Sequence, residues 1–341
     1  MMTITLPRPH FRPLPPVAAT LALALALALA CAMPWLARPV PFPDRLFPLI
    51  GIGALALAVR HLLIRLDAPQ PTRAAALTLI LPSAMINAGL LGQCDALWVA
   101  PCIMALACAV ERKHLAMLVW FGLAAGINVE ALLIAPFFIA LLINRRVPLK
   151  LWAVAPLVAA TAMLLAWVAG WPAGDLASIY PGQSATDAPL ALNAPNLWQI
   201  VGALPVVGAL PLYGLAMASA LGATAAYIAW LSTRSLDGRA VLAPALLAPL
   251  VTAGLLPHMR EHGFFVADIL ALAMALTLRD RESVRVAAMI QAGSLLALLG
   301  YLGGIDAMAM MGALPMIMAT TRIAQPLLRP FANDNPLLAR A

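Results

Sequence analysis

Two stretches put reactive side chains where a very apolar chain has least reason to carry them. LLGQCDALW, residues 90–98, places Gln93 and Asp95 between two apolar runs, and PHMREHGFF, residues 257–265, crowds His258, Arg260, Glu261 and His262 into five positions. Between them along the chain lie Asn128 and Glu130, and Asp268 follows the second stretch. An ionisable group at membrane depth costs at least a few kcal/mol unless it faces a cavity or a partner, so these side chains are the first candidates for function. A competing structural reading is available for Asp95 and Glu130, which stand where a carboxylate caps or complements the first turn of a helix.

The spacing His258-Met259-Arg260-Glu261-His262 also fits the inverted zinc-peptidase pattern H-x-x-E-H, in which two histidines four apart share a helix face. Pro257 opposes a regular helix there, and a downstream carboxylate ligand would have to be Asp268 or Asp306. The pattern is therefore read as fortuitous. Neither a Ser-His-Asp order, nor a glycine-rich phosphate loop, nor a Walker-type motif occurs, which argues against cytosolic ATP-driven chemistry.

The elements that must position these residues are membrane helices. Of 341 residues, 63% are hydrophobic and 10% charged, with a mean hydropathy of +0.94. A soluble domain carries roughly 25% charged residues around one core. A span needs about 20 apolar residues, and dividing the chain at its charged clusters predicts apolar segments at 17–36, 46–64, 74–91, 96–110, 115–127, 131–143, 151–170, 213–232, 240–257, 263–278, 286–303 and 305–320. The segments at 96–110, 115–127 and 131–143 are short for a crossing. The expectation is an all-α polytopic bundle of about 10–12 spans. Residues 1–16 form a cytoplasmic tail, 17–320 the membrane domain with a long outer loop at 171–199, and 321–341 a second cytoplasmic tail.

With the N-terminus inside and sides alternating, all but three of the 21 Lys and Arg residues fall on the cytoplasmic side, the exceptions being Arg38, Arg45 and Arg260. The net charge of +7 is thus a topology signature, and no nucleic-acid partner is implied. The period-2 run at 21–31 is read as helix, because an isolated strand in lipid leaves its backbone unpaired. It also has the form of a signal peptide, but the charge balance favours an uncleaved anchor. The four cysteines contain no CxxC pair and imply no disulfide framework.

This orientation gathers the polar residues on the outer face. Asp44 lies in loop 37–45, Gln93 and Asp95 in the 90–98 turn, and Glu130 after the fifth span. Tyr180, Asn196 and Trp198 lie in loop 171–199, with the 258–262 cluster beyond it. GQCDALW, the polar turn followed by APFF within 126–138, SIYPGQ…NAPNLW, and MREHGFF before an apolar span resemble, in this order, the GT-C fold of integral-membrane glycosyltransferases. The similarity is to bacterial relatives of the polyprenyl- and dolichyl-phosphate-sugar-dependent glucosyl- and mannosyltransferases, and it covers residues 75–275.

The resemblance implies a bacterial inner-membrane enzyme with some short or broken helices. It would move a hexose from a polyprenyl-phosphate sugar to a lipid-linked or envelope acceptor outside, with inversion. A carboxylate deprotonates the acceptor hydroxyl, for which Asp44 is the first choice, while Asp95 and Gln93 position substrate. Arg260, with His258 or His262, meets the departing phosphate, and Tyr180 and Trp198 stack on sugar or prenyl chain. Glu130, Asn196 and Glu261 complete the substrate-binding set. No cofactor is implied, and the lack of a D-x-D pair on the outer face weighs against a divalent metal.

The sequence departs from the family at three places. The first outer loop is only 37–45, as if the N-terminal portion were shortened. Asn128-Val129-Glu130 stands where relatives tend to carry a lysine. The order Arg260-Glu261-His262 replaces His-Glu-Arg. The alternatives are a transporter or flippase of lipid-linked glycans, which also uses broken helices and intramembrane carboxylates, and a GT-C relative without catalysis.

Overall fold

The computed structural model describes residues 42–171, 189–204, 212–234 and 236–328, with the side chains of 42–46 left aside. The first predicted span and most of loop 171–199, including Tyr180, lie outside these residues. The described chain is an all-α bundle with a single two-stranded β pairing.

In chain order the helices are α1 (Phe42–Arg65), α2 (Pro71–Leu79), α3 (Pro82–Leu90), α4 (Asp95–Val110), α5 (His114–Ile127), α6 (Val129–Asn144) and α7 (Leu149–Val168). Strand β1 (Ala191–Leu192) and α8 (Leu197–Gly202) precede α9 (Leu212–Leu231) and α10 (Gly238–Leu255). Strand β2 (Met259–Arg260) leads into α11 (Phe265–Leu278), α12 (Arg281–Gly303) and α13 (Asp306–Leu328). Every apolar segment predicted between 46 and 320 falls on one of these helices or on the α2–α3 pair. By length and composition six are able to cross a membrane, and the α2–α3 pair makes a seventh if counted as one span. The remaining long apolar helices, α4, α5, α6 and α11, are shorter, in keeping with the short segments expected at 96–143.

The predicted single span 74–91 is in fact two helices bent by 44°. Pro82 explains the break, since it lacks an N–H for the preceding turn and forces Leu81 into extended backbone (φ −60°, ψ 124°). Past the break the chain winds into a π-helical turn at Met85–Leu90. The last predicted span runs on to Leu328, well beyond the expected end at 320.

The outer surface of the bundle fits lipid. Leu157, Leu165, Leu215 and Leu221 are each more than 60% exposed on long apolar helices, a surface that water does not tolerate at this scale. Helix α7 rests on α5 through Gly122 and Gly126, where a Cβ would lie 2.4 Å from the Ala155 carbonyl oxygen and 2.9 Å from that of Ala159. Small residues four apart are what allow membrane helices to touch backbone to backbone. The core is filled by Trp98, Phe137, Phe138, Phe264 and branched aliphatics, with Thr252 Oγ donating to the Leu133 carbonyl at 2.8 Å to tie α10 to α6.

Candidate functional site

Four chain segments meet at one end of the bundle, and each is shaped by its own sequence. In the π turn of α3, Gln93 N–H reaches back to the Asn87 carbonyl at 2.9 Å and Leu91 N–H to that of Ile86 at 2.9 Å. Such widened turns leave a side chain aimed off the regular helix face, and here it is Asn87, 1% exposed. Helix α4 begins at Asp95 immediately after this turn. Helix α6 is preceded by Asn128, in extended backbone, whose side-chain oxygen accepts the Glu130 N–H at 2.9 Å, an N-cap that fixes Glu130 in the first turn.

The fourth segment is the turn after α10. Met259 and Arg260 pair in parallel with Ala191 and Leu192, and His258 N–H donates to the Leu190 carbonyl at 2.8 Å. The chain then doubles back, Gly263 N–H to the Arg260 carbonyl at 3.1 Å, before α11 starts. Met259, Phe264 and Phe265 are buried on either side, so the turn presents Glu261 and His262 to the neighbouring helix ends.

The four segments are joined by side chains. Asn87 Nδ2 donates to Asp95 Oδ2 at 2.7 Å and to Gln93 Oε1 at 2.6 Å. Gln93 Nε2 lies 3.2 Å from Glu261 Oε1 and 3.1 Å from His262 Nδ1. The His262 ring stands between two carboxylates, with Nδ1 3.1 Å from Glu261 and Nε2 3.4 Å from Glu130. Asp95, Glu130 and Glu261 are 5–7% exposed, and the His262 side chain 11%. Asp95, Glu130 and His262 each bring one ligand-type atom within 4.8 Å of the other two, so this trio is where a cation would be held. Burial by itself would strip the proton from His262. The hydrogen bonds to Glu130 and Glu261 and the Asp95 charge outweigh it and push the imidazole up to about 11. For Glu261, burial is opposed by the same contact, which holds the carboxyl below its usual range.

Gln93, Asp95, Glu130, Glu261 and His262 are thus brought together. Asp95, however, does not cap α4. The cap residue is Cys94, whose carbonyl accepts the Leu97 N–H, and the Asp95 oxygens take Asn87 and the indole N–H of Trp98 at 3.2 Å instead.

Asn196 and Trp198 are structural. Asn196 Oδ1 caps α8 through Gln199 N–H at 3.1 Å, and its Nδ2 reaches the Ala253 and Leu256 carbonyls. Trp198 is 5% exposed with its indole N–H on the Leu255 carbonyl at 2.6 Å, so neither residue is turned to a ligand. His258 does not share a helix face with His262. It precedes a strand with φ 59° and stacks on Tyr213, ring centroids 5.1 Å apart. The zinc-peptidase geometry is therefore absent.

Arg260 is exposed, and its guanidinium meets no acceptor among the described residues. Asp268 stands apart from the cluster, buried, accepting Ser294 Oγ at 2.9 Å. The side chain of Asp44 lies outside the described residues, but its backbone lies in the first turn of α1. Gly51, two turns on, packs on Ala96 and Leu97 of α4, which carries the start of α1 about 10 Å farther toward the same end of the bundle. Sequence reading missed Asn87, the hub of the network. The only trace of it is a lone amide inside an apolar segment five residues after a proline.

No protein-family model matches the chain, and no curated protein matches it.

Proposed function

We propose that the protein is an inner-membrane GT-C-type glycosyltransferase of bacterial origin, taking a hexose from a polyprenyl-phosphate sugar and passing it, with inversion, to a lipid-linked or cell-envelope acceptor. The observation that carries this reading is the convergence of three polar turns, each ending an apolar helix, on one end of the bundle, beside an exposed arginine. In this reading both termini are cytoplasmic and the polar end faces out, since the opposite end holds Arg65, Arg112, Lys113 and Arg145.

The chemistry asked of the site is a single displacement. The acceptor hydroxyl oxygen attacks the anomeric carbon and its proton passes to a carboxylate. The bond from that carbon to the phosphate oxygen breaks, and the phosphate leaves with the electron pair. Asp44 is proposed as the base. Asp95, held at both oxygens, is a positioning residue for the pocket, and Arg260 meets the phosphate charge, where a guanidinium offers paired donors.

A transporter of lipid-linked glycans is the second reading. It is favoured by the discontinuous α2–α3 pair and the irregular start of α6, both at the site. Against it, the polar cluster sits at one end of α4 and not at its middle.

One experiment separates the readings. Full-length protein in detergent is given radiolabelled polyprenyl-phosphate sugars and a bacterial envelope lipid extract, and wild type is compared with Asp44→Asn, Asp95→Asn and Arg260→Ala. Transfer by wild type, abolished in Asp44→Asn with donor binding kept and weakened at the donor-binding step in Arg260→Ala, supports the enzyme. Donor bound and carried across proteoliposomes without transfer supports the transporter. No donor bound at all overturns both.

A further inference from the structure

We infer that Asp95, Glu130 and His262 form a binding site for one divalent cation of the Mn2+ type. The inference is independent of sugar transfer.

Charge balance is the first argument. Asp95, Glu130 and Glu261 are three buried carboxylates, and the only cationic side chain bonded to any of them among the described residues is the single imidazole of His262. Buried charges are stable when paired or when they coordinate metal, and this cluster carries more acid than its one base can match.

Unused bonding capacity is the second argument, and it points into the same place. Glu130 is 7% exposed, and its Oε2 has no hydrogen-bond partner among the described residues. The amide oxygen of Asn87, 1% exposed, is likewise unpartnered. A buried acceptor without a donor is costly, whereas a cation satisfies several acceptors at once.

The third argument is how the ligands are held. The Nδ1–H of His262 is held by Glu261 Oε1, which also accepts the Gln93 amide, and Nε2 faces Glu130, where a metal takes the place of the Nε2 proton. A carboxylate behind a ring nitrogen, with the other nitrogen on the metal, is the usual outer support of a metal-binding histidine. Asp95 is oriented in the same manner by Asn87 and Trp98, and each carboxylate oxygen keeps a lone pair after one hydrogen bond. Two ligands at about 2.1 Å from a metal stand about 3.0 Å apart when cis and at most about 4.2 Å apart when trans. The donors, within 4.8 Å of one another, close on one ion by movements of up to about 1 Å each.

Donor chemistry sets the metal class. Two carboxylates and one imidazole, with amide oxygens nearby and no thiolate among the three, suit Mn2+ better than Zn2+, which favours nitrogen and sulfur. The three ligands come from three separate turns, which is why no adjacent acidic pair in the sequence announces them.

The test uses the full chain purified in detergent, stripped with EDTA, desalted and titrated with Mn2+, with metal content and pulsed electron-spin-echo spectra as readouts. Wild type is expected to hold one equivalent of Mn2+ with nitrogen modulation from the bound imidazole. Asp95→Asn and Glu130→Gln are expected to weaken binding by at least about 100-fold, and Glu261→Gln, behind the ring, by about 10–100-fold. Glu282→Gln, at the opposite end, is expected to bind as wild type does.

Mn2+ bound by wild type no better than by Glu130→Gln overturns the site. Bound Mn2+ without nitrogen modulation removes His262 from it, and that spectrum needs no variant to fold. Zn2+ retained at one equivalent while Mn2+ is not overturns the metal class.

Discussion

The two ends of the bundle use charged residues in opposite ways. At the basic end the cations sit at the surface and serve the backbone. Arg145 donates to the carbonyls of Ala109 and Leu236, Arg239 to those of Leu66 and Asp67, and Asn144 reaches the carbonyls of Ser232 and Arg234. These carbonyls lie at or within a few residues of helix ends, where backbone acceptors lack a full set of intrahelical partners, and a cation beside a C-terminal end also complements the helix dipole. In the ion pairs beside them, Arg65–Glu111 at 2.8 Å, Lys113–Glu111 at 3.1 Å and Arg112–Asp237, every cation is exposed, while Glu111 is partly covered. At the acidic end the charged groups are buried, outnumber their counter-ions and bond to one another's side chains. The difference teaches that charge at the first end closes the fold, while charge at the second is held ready against the cost of burial.

That contrast is sharpest under removal of one partner. In His262→Leu the three carboxylates lose the one base that meets them among the described residues, and breaking a buried pair costs about 3–5 kcal/mol. Unfolding in mixed detergent, followed by circular dichroism, is expected to show this loss, with part recovered when Glu130→Gln is added. A loss no greater than that for an exposed pair would erase the distinction between the ends.

A pH titration of the metal-free protein, kept in chelator, gives a smaller effect. The His262 pKa rises from an ordinary value near 6.5 when unfolded to about 11 in the fold. Its contribution is therefore fully present below about pH 6.5 and is lost as pH rises through 11, at a slope of at most about 1.4 kcal/mol per pH unit. His262→Gln is expected to flatten this slope. A stability that climbs over the same range in wild type would contradict the ion network.

Trp198→Phe is expected to cost about 1–2 kcal/mol, because the Leu255 carbonyl loses its indole donor, while the proposed sugar transfer, measured per folded molecule, stays unchanged. Transfer lost at wild-type stability would return Trp198 to the ligand. Smallest of all, Arg112→Ala at the basic end is expected to change stability by no more than about 0.5 kcal/mol, with the change vanishing in high salt.

Much of this organisation is legible in the sequence for a simple reason. Lipid requires each crossing segment to satisfy its own backbone, so apolar length and charged punctuation locate α1, α4 to α7 and α9 to α13 with little reference to anything else. The alternation of basic and acidic turns follows from the same count, and it brings Gln93, Asp95, Glu130 and the 258–262 cluster to one end without knowledge of any contact. Pro82 marks its break in the chain because a missing N–H is a local fact.

What only the tertiary structure decided is which polar groups touch. Asp95 and Trp198 each had a plausible role in isolation, a helix cap and a stacking surface, and each was reassigned by a neighbour distant in sequence or fixed by a turn's winding. Asn87 became a hub because a π turn, which no short-range pattern specifies, aims its amide at Asp95 and Gln93. Hydropathy is a property of each segment alone and can be summed along the chain. The pairing of buried carboxylates, amide and imidazole depends on distances of 2.6–3.4 Å between separate segments, and those distances exist only once the helices have packed.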